Sequence, residues 1–243
     1  MRLVSATFVN WAGNQRCAPA RRISPASEVE VQAAVRDAIA AGRGVRVVAT
    51  GHSFSPVHLT GGTLIDLAGF AGITLVDAAA GRVRALPGTA VGAFGEPLWD
   101  QGLALANQGD IDTQGIGGAI GTATHGSGAG LQSFSASMRS CRLVDGTGEV
   151  VVVDGSAPDL LAAAQVSIGM LGVMTEVEIE VVPRYRLAQR IEESGRSTGC
   201  STSGTSGSRA TATSRASGAR RRSRARSTGS TSAAPPSAGT WCG

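Results

Sequence analysis

The last fifty residues of the chain, 194–243, contain only eight amino-acid types: Ala, Cys, Gly, Pro, Arg, Ser, Thr and Trp. All eight have codons with C or G at the second position, whereas residues 1–193 use Val, Leu, Ile, Asp and Glu freely. This pattern is typical of a GC-rich coding sequence read in a shifted frame, and we interpret the tail as a frameshift product. Because the tail has no Leu, Ile, Val or Phe, we expect it to be disordered, which confines the folded core to residues 1–193.

The positive charge of the chain comes from this tail. All 22 basic residues are Arg; eight lie in the tail, which leaves 22 − 8 = 14 Arg against 18 acidic residues and a charge of −4 for residues 1–193. A basic tail would ordinarily suggest nucleic acid, but the codon pattern accounts for it, and we expect no nucleic-acid partner.

The rest of the composition favours a cytoplasmic protein, because the sequence has no run of 18 apolar residues and no signal-peptide start. Peripheral membrane association stays open. Two isolated cysteines outside the tail, Cys17 and Cys141, lack the spacing of a zinc site, so we expect no metal.

The N-terminal part of the sequence predicts a β-α-β unit. Residues 18–23 read as a strand, Ser27 and Glu30 as a capping box, and residues 45–49 as a short buried strand. One face of the intervening helix carries apolar residues, namely Val31, Val35, Ala38 and Ile39, and Gly42 and Gly44 are expected to end the helix. A parallel strand pair joined by a helix is expected, with the loop 50–62 leaving the end of the second strand. His58 is expected to be a surface residue of that loop.

The remaining pattern predicts an α+β fold with two lobes, at about 10–86 and 87–190. Strands are expected at 63–67, 73–76, 82–86, 141–144, 149–153 and 173–182, and a helix at 91–101. The carboxylates of Glu176, Glu178 and Glu180 alternate along the last strand, and we expect them to be solvated rather than catalytic.

Two segments, ATGHSFSP at 49–56 and the glycine-rich stretch at 110–130, are the candidates for ligand binding. Glycines let the backbone approach a ligand closely, and successive N–H groups form an anion-binding concavity. Two such loops are suited to grip a diphosphate from two sides. The alternative is that these glycines only permit tight turns. Neither segment matches the G-x-G-x-x-G dinucleotide fingerprint or a Walker sequence.

Together with NWAGNQ at 10–15, ANQGDID at 106–112 and SIGMLGVMTEV at 167–177, these segments resemble the FAD-linked oxidases of the vanillyl-alcohol oxidase type. Within that group they are most similar to the gulonolactone, arabinonolactone and alditol oxidases. The resemblance spans residues 10–183. It implies a two-lobed α+β FAD-binding domain of the PCMH type, followed here by the disordered tail.

The resemblance also implies which residues line FAD. In the first loop they are Val47, Val48, Ala49, Thr50, Gly51, His52 and Ser53. In the second region they are Asp110, Gly115, Gly118, Thr122, Ala123, Thr124 and His125, and Val173 is added as the position whose backbone meets the adenine or ribose. His52 matches the position that many members link covalently to the flavin 8α-methyl group, while other members hold FAD without that bond. His125 either lines the flavin or bridges backbone groups.

The implied reaction is oxidation of an alcohol carbon of a sugar lactone or polyol, with hydride transfer to flavin N5 and onward transfer to oxygen or another acceptor. In the family, the base and the substrate-positioning groups come mainly from a second domain, so no catalytic residue is assigned here. Two alternatives remain: an FAD oxidoreductase of the same fold with another alcohol substrate, and a non-enzymatic module that is either an FAD-binding remnant or a partner-binding protein with a basic arm.

Overall fold

A computed structural model describes residues 2–3 and 7–188. The predictions of a frameshift and of disorder in residues 194–243 concern residues that lie outside this part of the chain.

A four-stranded sheet is formed by the first part of the chain, in the order β1-β4-β6-β5. β4 and β5 both pair with β6 in parallel, and β1 pairs with β4 antiparallel. A separate two-stranded ribbon of β2 and β3 precedes β4. The bounds are β1 Arg2–Leu3, β2 Phe8–Val9, β3 Arg16–Cys17, β4 Arg21–Ser24, α1 Glu28–Ala40, β5 Val45–Val48 and β6 Thr63–Asp66. The predicted β-α-β unit is present as β4-α1-β5, although β6 lies between its two strands.

Helix α1 starts and stops where the sequence predicts. The Ser27 hydroxyl accepts from the Glu30 amide at 3.3 Å, and the Glu30 carboxylate accepts from the amide of Ala26 at 2.8 Å. The helix ends before Gly42, which has φ +63. Its buried face consists of Val31, Ala34, Val35 and Ala38. The expectation for Ile39 is wrong: its side chain is 50% exposed, because it lies beyond the edge of that face.

A five-stranded antiparallel sheet follows, in the order β11-β10-β12-β8-β7. The 3-10 turn Val91–Phe94 and α2 replace the single helix expected at 91–101. The bounds are β7 Ile73–Asp77, β8 Arg82–Ala85, α2 Gly95–Asp100, β9 Leu103–Ala104, α3 Ile116–Gly121, α4 Phe134–Ser137, β10 Met138–Val144, β11 Val150–Val153, α5 Pro158–Gln165, β12 Val173–Glu180 and β13 Val182–Pro183. The α+β class is confirmed.

The break in the helix expected at 91–101 lies beside a contact between Gly92 and the 110–115 segment. A side chain at Gly92 would come within 2.7 Å of the Asp112 carboxylate, and the Gly92 amide donates to the Asp112 carbonyl at 2.8 Å. The contact with the 110–115 segment therefore fixes the start of this region.

The division between the two sheets falls between Asp66 and Ile73, whereas the sequence places the lobe boundary near residue 86. β7 and β8 belong to the second sheet, because β8 pairs with β12. The core has two clusters. In one, Ile23, Val31 and Ile65 of the first part of the chain pack with Val144 and Val173 of the second sheet. The other contains Phe94, Ile120 and Val177.

Candidate functional site

The first loop leaves the carboxyl end of β5, as the parallel pairing requires, and its position is set by the turn at 10–15. The Asn10 side chain, which is 4% exposed, donates to the carbonyl of Ser53 at 2.9 Å and accepts from the Gln15 amide at 2.9 Å. The Gln15 side chain donates to the carbonyl of Phe54 at 3.0 Å. The turn thus holds residues 51–54 from one side.

Gly51 is the position of this loop that requires glycine. Its φ is +68, and a side chain there would lie 3.1 Å from the ring of Phe8. Its carbonyl accepts from the Trp11 amide at 2.9 Å. This close approach places the next residue, His52, beside the Trp11 ring, with 5.1 Å between the ring centroids.

The second loop meets the first directly. The Gly115 amide donates to the Thr50 hydroxyl at 3.3 Å, and the Thr113 hydroxyl lies 3.0 Å from Nε2 of His52. Gly115 is buried, and a side chain there would lie 3.0 Å from Cβ of Ala49. The two segments singled out from the sequence are therefore in contact.

Short backbone hydrogen bonds to residues 87–92 hold the second loop. The Val91 amide donates to the Gln114 carbonyl at 2.9 Å, and the Ile116 and Gly117 amides donate to the carbonyls of Thr89 and Pro87 at 2.8 and 2.9 Å. This anchoring gives α3 a fixed start next to the first loop.

Beside these loops lies a groove enclosing about 720 Å³ of empty space, part of it open to solvent. One wall is the end of β5, from Arg46 to Ala49, and the opposite wall is α3 with Gly117, Gly118 and Gly121. The far end is formed by residues 167–169 together with Gly172 and Met174. Most of this lining is apolar or backbone.

The glycines of the groove serve two different purposes. At Gly172, φ is +150 and a side chain would lie 2.3 Å from the carbonyl of Val144, so the fold itself requires glycine. At Gly118 a side chain would meet no atom within 4 Å. The protein's own packing does not require Gly118, and its missing side chain keeps the groove open.

Strained backbone flanks the groove on two sides. Ala123 and Ile168 are the non-glycine residues with positive φ in the described part of the chain, at 56° and 51°. The Ile168 amide donates to the carbonyl of Gly121 at 3.2 Å, which joins the end of α3 to the 167–170 segment. Such strained residues cluster at ligand sites, and here both lie next to groove-lining residues.

The structure does not bring every predicted residue to the groove wall. Val47, Val48, Ala49, Gly118 and Thr122 line it, and Thr50, Gly51, His52, Ser53 and Gly115 form the adjoining loop contact. The side chain of Val173 is buried in the core, and its neighbours Gly172 and Met174 line the groove, so that its backbone lies beside the groove wall. Asp110 is exposed, and Thr124 donates its amide to the carbonyl of Ala119 at 2.8 Å.

His125 is exposed, and its Nδ1 lies 2.9 Å from the carbonyl oxygen of Gly126. Gly126 packs so closely on residue 108 that a side chain would lie 1.9 Å from the Gln108 carbonyl. The segment 124–126 therefore packs against the start of the second loop.

Four residues of the site were not predicted from the sequence: Thr113, Gly117, Gly121 and Ile168. The glycine spacing in 115–121 pointed to two of them.

The expectation for His58 is wrong. Its side chain is 4% exposed and packs edge-on against Phe8, with 5.0 Å between ring centroids. Burial lowers the pKa of His58 below its ordinary value. The short turn Pro56–His58 folds the residue inward, which the sequence pattern of a polar loop did not indicate.

Comparison with known proteins identifies the family. The model of the FAD binding domain matches residues 19–154. The L-gulono-1,4-lactone dehydrogenase of Mycobacterium tuberculosis is 41% identical over 184 residues, which cover 76% of this chain and 42% of that protein. The chain belongs to the FAD-binding domain family.

Other relatives carry related names. The D-arabinono-1,4-lactone oxidase of Eremothecium gossypii is 36% identical, over 74% of this chain and 35% of that protein, and the L-gulonolactone oxidase of Mus musculus is 30% identical, over 75% and 42%. The solved structure of 6-hydroxy-D-nicotine oxidase from Arthrobacter nicotinovorans has a TM-score of 0.63 at 26% identity, over 73% of this chain and 39% of that one. The chain spans about two fifths of the length of the first relatives that it matches.

The groove fits the cofactor of this FAD-binding family. FAD is long and carries a diphosphate between two flat ring systems, and a groove walled by backbone and small residues admits it. Two features suit a bound group. It would fill the space at Gly118. It would also reach the ring nitrogen Nδ1 of His52, which is buried without a hydrogen-bond partner among residues 7–188.

Among the described helices, none has the length and apolar character needed to cross a membrane.

Proposed function

We propose that this chain is the FAD-binding portion of a flavin-dependent oxidoreductase that oxidises a sugar-1,4-lactone, such as gulono- or arabinono-lactone, or an alditol. The observation that carries the proposal is the contact between the two glycine-containing loops over an open groove. Relatives named for lactone substrates, at up to 41% identity, support the substrate class.

The residues of this chain have the task of holding and orienting the cofactor. The diphosphate is proposed to face backbone N–H groups of the first loop, at 50–53, and of Gly118, because the amides of residues 115–117 already donate within the protein. Dipoles rather than a lysine or a metal then balance its charge. Arg46 on the groove wall adds a positive charge at the end near Met170, since its guanidinium lies 3.5 Å from the Met170 sulfur. Bound flavin supplies a hydride acceptor at N5.

The flavin ring would lie at the loop end of the groove, beside His52. Trp11 and Phe54, which are 66% and 63% exposed with 6.4 Å between their ring centroids, stand at this end and would cover part of a bound flavin. Asn10 and Gln15 keep this edge rigid through their bonds to residues 53 and 54. These residues position the reaction, and the substrate base is proposed to come from sequence that the relatives carry outside the matched region.

Binding of FAD by the 243-residue chain is the first test. Titration with FAD should quench flavin fluorescence in the native chain, and a chain with a leucine at position 118 (Gly118→Leu) should lose the effect. If the chain shows no saturable FAD binding, the proposal that it is an FAD-binding portion is wrong.

The substrate class is tested separately, with a protein in which residues 1–188 are joined to the remaining length found in the lactone dehydrogenase relative. Anaerobic addition of L-gulono-1,4-lactone, D-arabinono-1,4-lactone or an alditol should bleach the oxidised flavin spectrum. Bleaching by other alcohols alone would favour an oxidoreductase of the same fold with a different substrate, and aerobic reoxidation would show whether oxygen is the acceptor.

A further inference from the structure

His52 is held from two sides in a defined orientation. The Trp11 ring lies against one face at a 32° tilt, and the Thr113 hydroxyl lies 3.0 Å from Nε2. The backbone on either side of Thr113 is anchored by the hydrogen bonds from Gly92 to Asp112 and from Val91 to Gln114, at 2.8 and 2.9 Å. The hydroxyl is therefore presented by a fixed segment.

The other ring nitrogen has a different environment. Nδ1 of His52 is buried and finds no hydrogen-bond partner among residues 7–188. A neutral imidazole carries its proton on one nitrogen and a lone pair on the other, and the partner of one nitrogen decides the state of the other. If Nδ1 carried the proton, a buried N–H would lack an acceptor; if Nε2 carries it, the Thr113 oxygen accepts it.

We propose that Thr113 is a positioning residue that holds His52 as its Nε2–H tautomer and so leaves the lone pair on Nδ1 for covalent attachment of the flavin. The proposal rests on the FAD-binding function proposed above. A hydroxyl suits this task because it changes roles: it accepts from Nε2–H before attachment and donates to the bare Nε2 afterwards.

The attachment is balanced as follows. A bond forms between Nδ1 and the carbon of the 8α-methyl group, and one C–H bond of that carbon breaks. One proton leaves this carbon and one leaves Nε2. The electron pair of the broken bond passes through the ring system to dissolved oxygen, which takes up both electrons and both protons as hydrogen peroxide.

The first measurement uses the chain without FAD. With ring nitrogens labelled by ¹⁵N, two-bond proton–nitrogen correlations distinguish the two tautomers, and the chain has only three histidines to assign, at 52, 58 and 125. Native chain should show His52 with its proton on Nε2. Thr113→Val, which keeps the shape and removes the hydroxyl, should give a mixture, and Thr113→Ser should restore the native spectrum. Thr147→Val, on the turn between β10 and β11, serves as a remote control.

The second measurement is the rate at which acid-stable flavin fluorescence accumulates on the chain in excess FAD. Loss of one neutral hydrogen bond that favours the reactive tautomer should slow attachment about fivefold in Thr113→Val. Thr113→Ser should attach at the native rate, and His52→Ala should not attach. Fluorescence quenching in the same samples gives the reversible FAD affinity of each variant, so that the attachment rates are compared at saturating FAD.

The outcomes separate the two proposals. Native chain that binds FAD reversibly but never attaches it, or Thr113→Val with native tautomer or native attachment rate, overturns the role of Thr113 and leaves FAD binding standing. Native chain without reversible FAD binding contradicts the proposed function as well. Should Thr113→Val fail to fold, Thr113→Ala replaces it, because it also removes the acceptor and has the same expected loss of the Nε2–H tautomer.

Discussion

The molecule has two concave regions of opposite character. The groove beside β5 and α3 is lined mostly by backbone, small residues and apolar side chains, with Arg46 as its charged member. The outer face of the second sheet forms a concavity lined by Arg82, Arg84, Arg139 and Arg142, with Glu176 and Glu178 among them. The charge-rich region would be the first choice of a search for an anion site.

The ion pairs explain why the groove is the better candidate. Arg84 pairs with Glu178 at 2.7 Å, Arg142 with Glu28 at 2.8 Å, and Arg139 with Glu180. These cations are already neutralised by the protein, and they hold the sheet face together. In the groove the donors are backbone groups and space is left vacant. A cluster of charged residues therefore indicates a cofactor site less well than open space beside backbone that the fold holds in place.

The largest effect is expected at Gly172, which lines the groove and is also required by the backbone conformation of the fold. A side chain there would collide with the carbonyl of Val144, and the backbone has φ +150. Gly172→Ala should lower the free energy of unfolding by about 3 kcal/mol, measured by urea denaturation. A loss below about 0.5 kcal/mol would show that this glycine serves the ligand alone.

A matched pair of glycines separates the two regions directly. Gly118 in the groove and Gly155 on the charged face both have room for a side chain, since its first carbon would meet no atom within 4 Å. Gly118→Leu should weaken FAD binding about tenfold to a hundredfold, since a side chain would occupy the cofactor's space. Gly155→Leu should leave binding unchanged. Equal effects of the two substitutions on fluorescence quenching by FAD would remove the distinction between the regions.

The loop that carries His52 should show a pH dependence through His58. Burial against Phe8 lowers the folded-state pKa of His58 below its ordinary value of 6.5. Below pH 6.5 the unfolded chain therefore binds more protons than the folded chain. The free energy of unfolding is highest above pH 6.5 and falls as the pH is lowered below it. Thermal melts between pH 5 and 7.5 should show the trend, and His58→Phe should flatten it.

The smallest effect is expected on the charged face. Glu178→Gln removes the carboxylate that pairs with Arg84, whose side chain is 47% exposed. Exposed pairs contribute little, so the free energy of unfolding should fall by less than about 1 kcal/mol, and FAD affinity should not change. A clear loss of FAD binding in Glu178→Gln would mean that the two regions are coupled.

The sequence predicts elements where local chemistry decides them. The cap at Ser27, the stop at Gly42 and the alternation along β12 each depend on neighbouring residues, and all three are present. The glycine-rich stretch at 110–130 was also recognisable, because glycine at high density has few structural explanations.

What the sequence does not reveal depends on contacts between distant residues. Thr113 lies next to His52 across 61 positions, and nothing local marks it. Glu178 and Glu180 alternate as a solvated face would, yet both pair with arginines from other strands. His58 is buried by a turn that only tertiary packing selects. Val173 follows the expected strand but faces the core.

The position of β12 has a consequence for how the protein is made. This strand lies at the centre of the second sheet, paired with β8 on one side and β10 on the other, and the groove residues Gly172 and Met174 stand at its start. Pairings between residues so far apart in sequence form late. On the ribosome, the early strand β8 must wait for residues 173–180 to emerge. The groove is therefore completed late in synthesis, and a nascent chain gains its cofactor only after most of the domain has been translated.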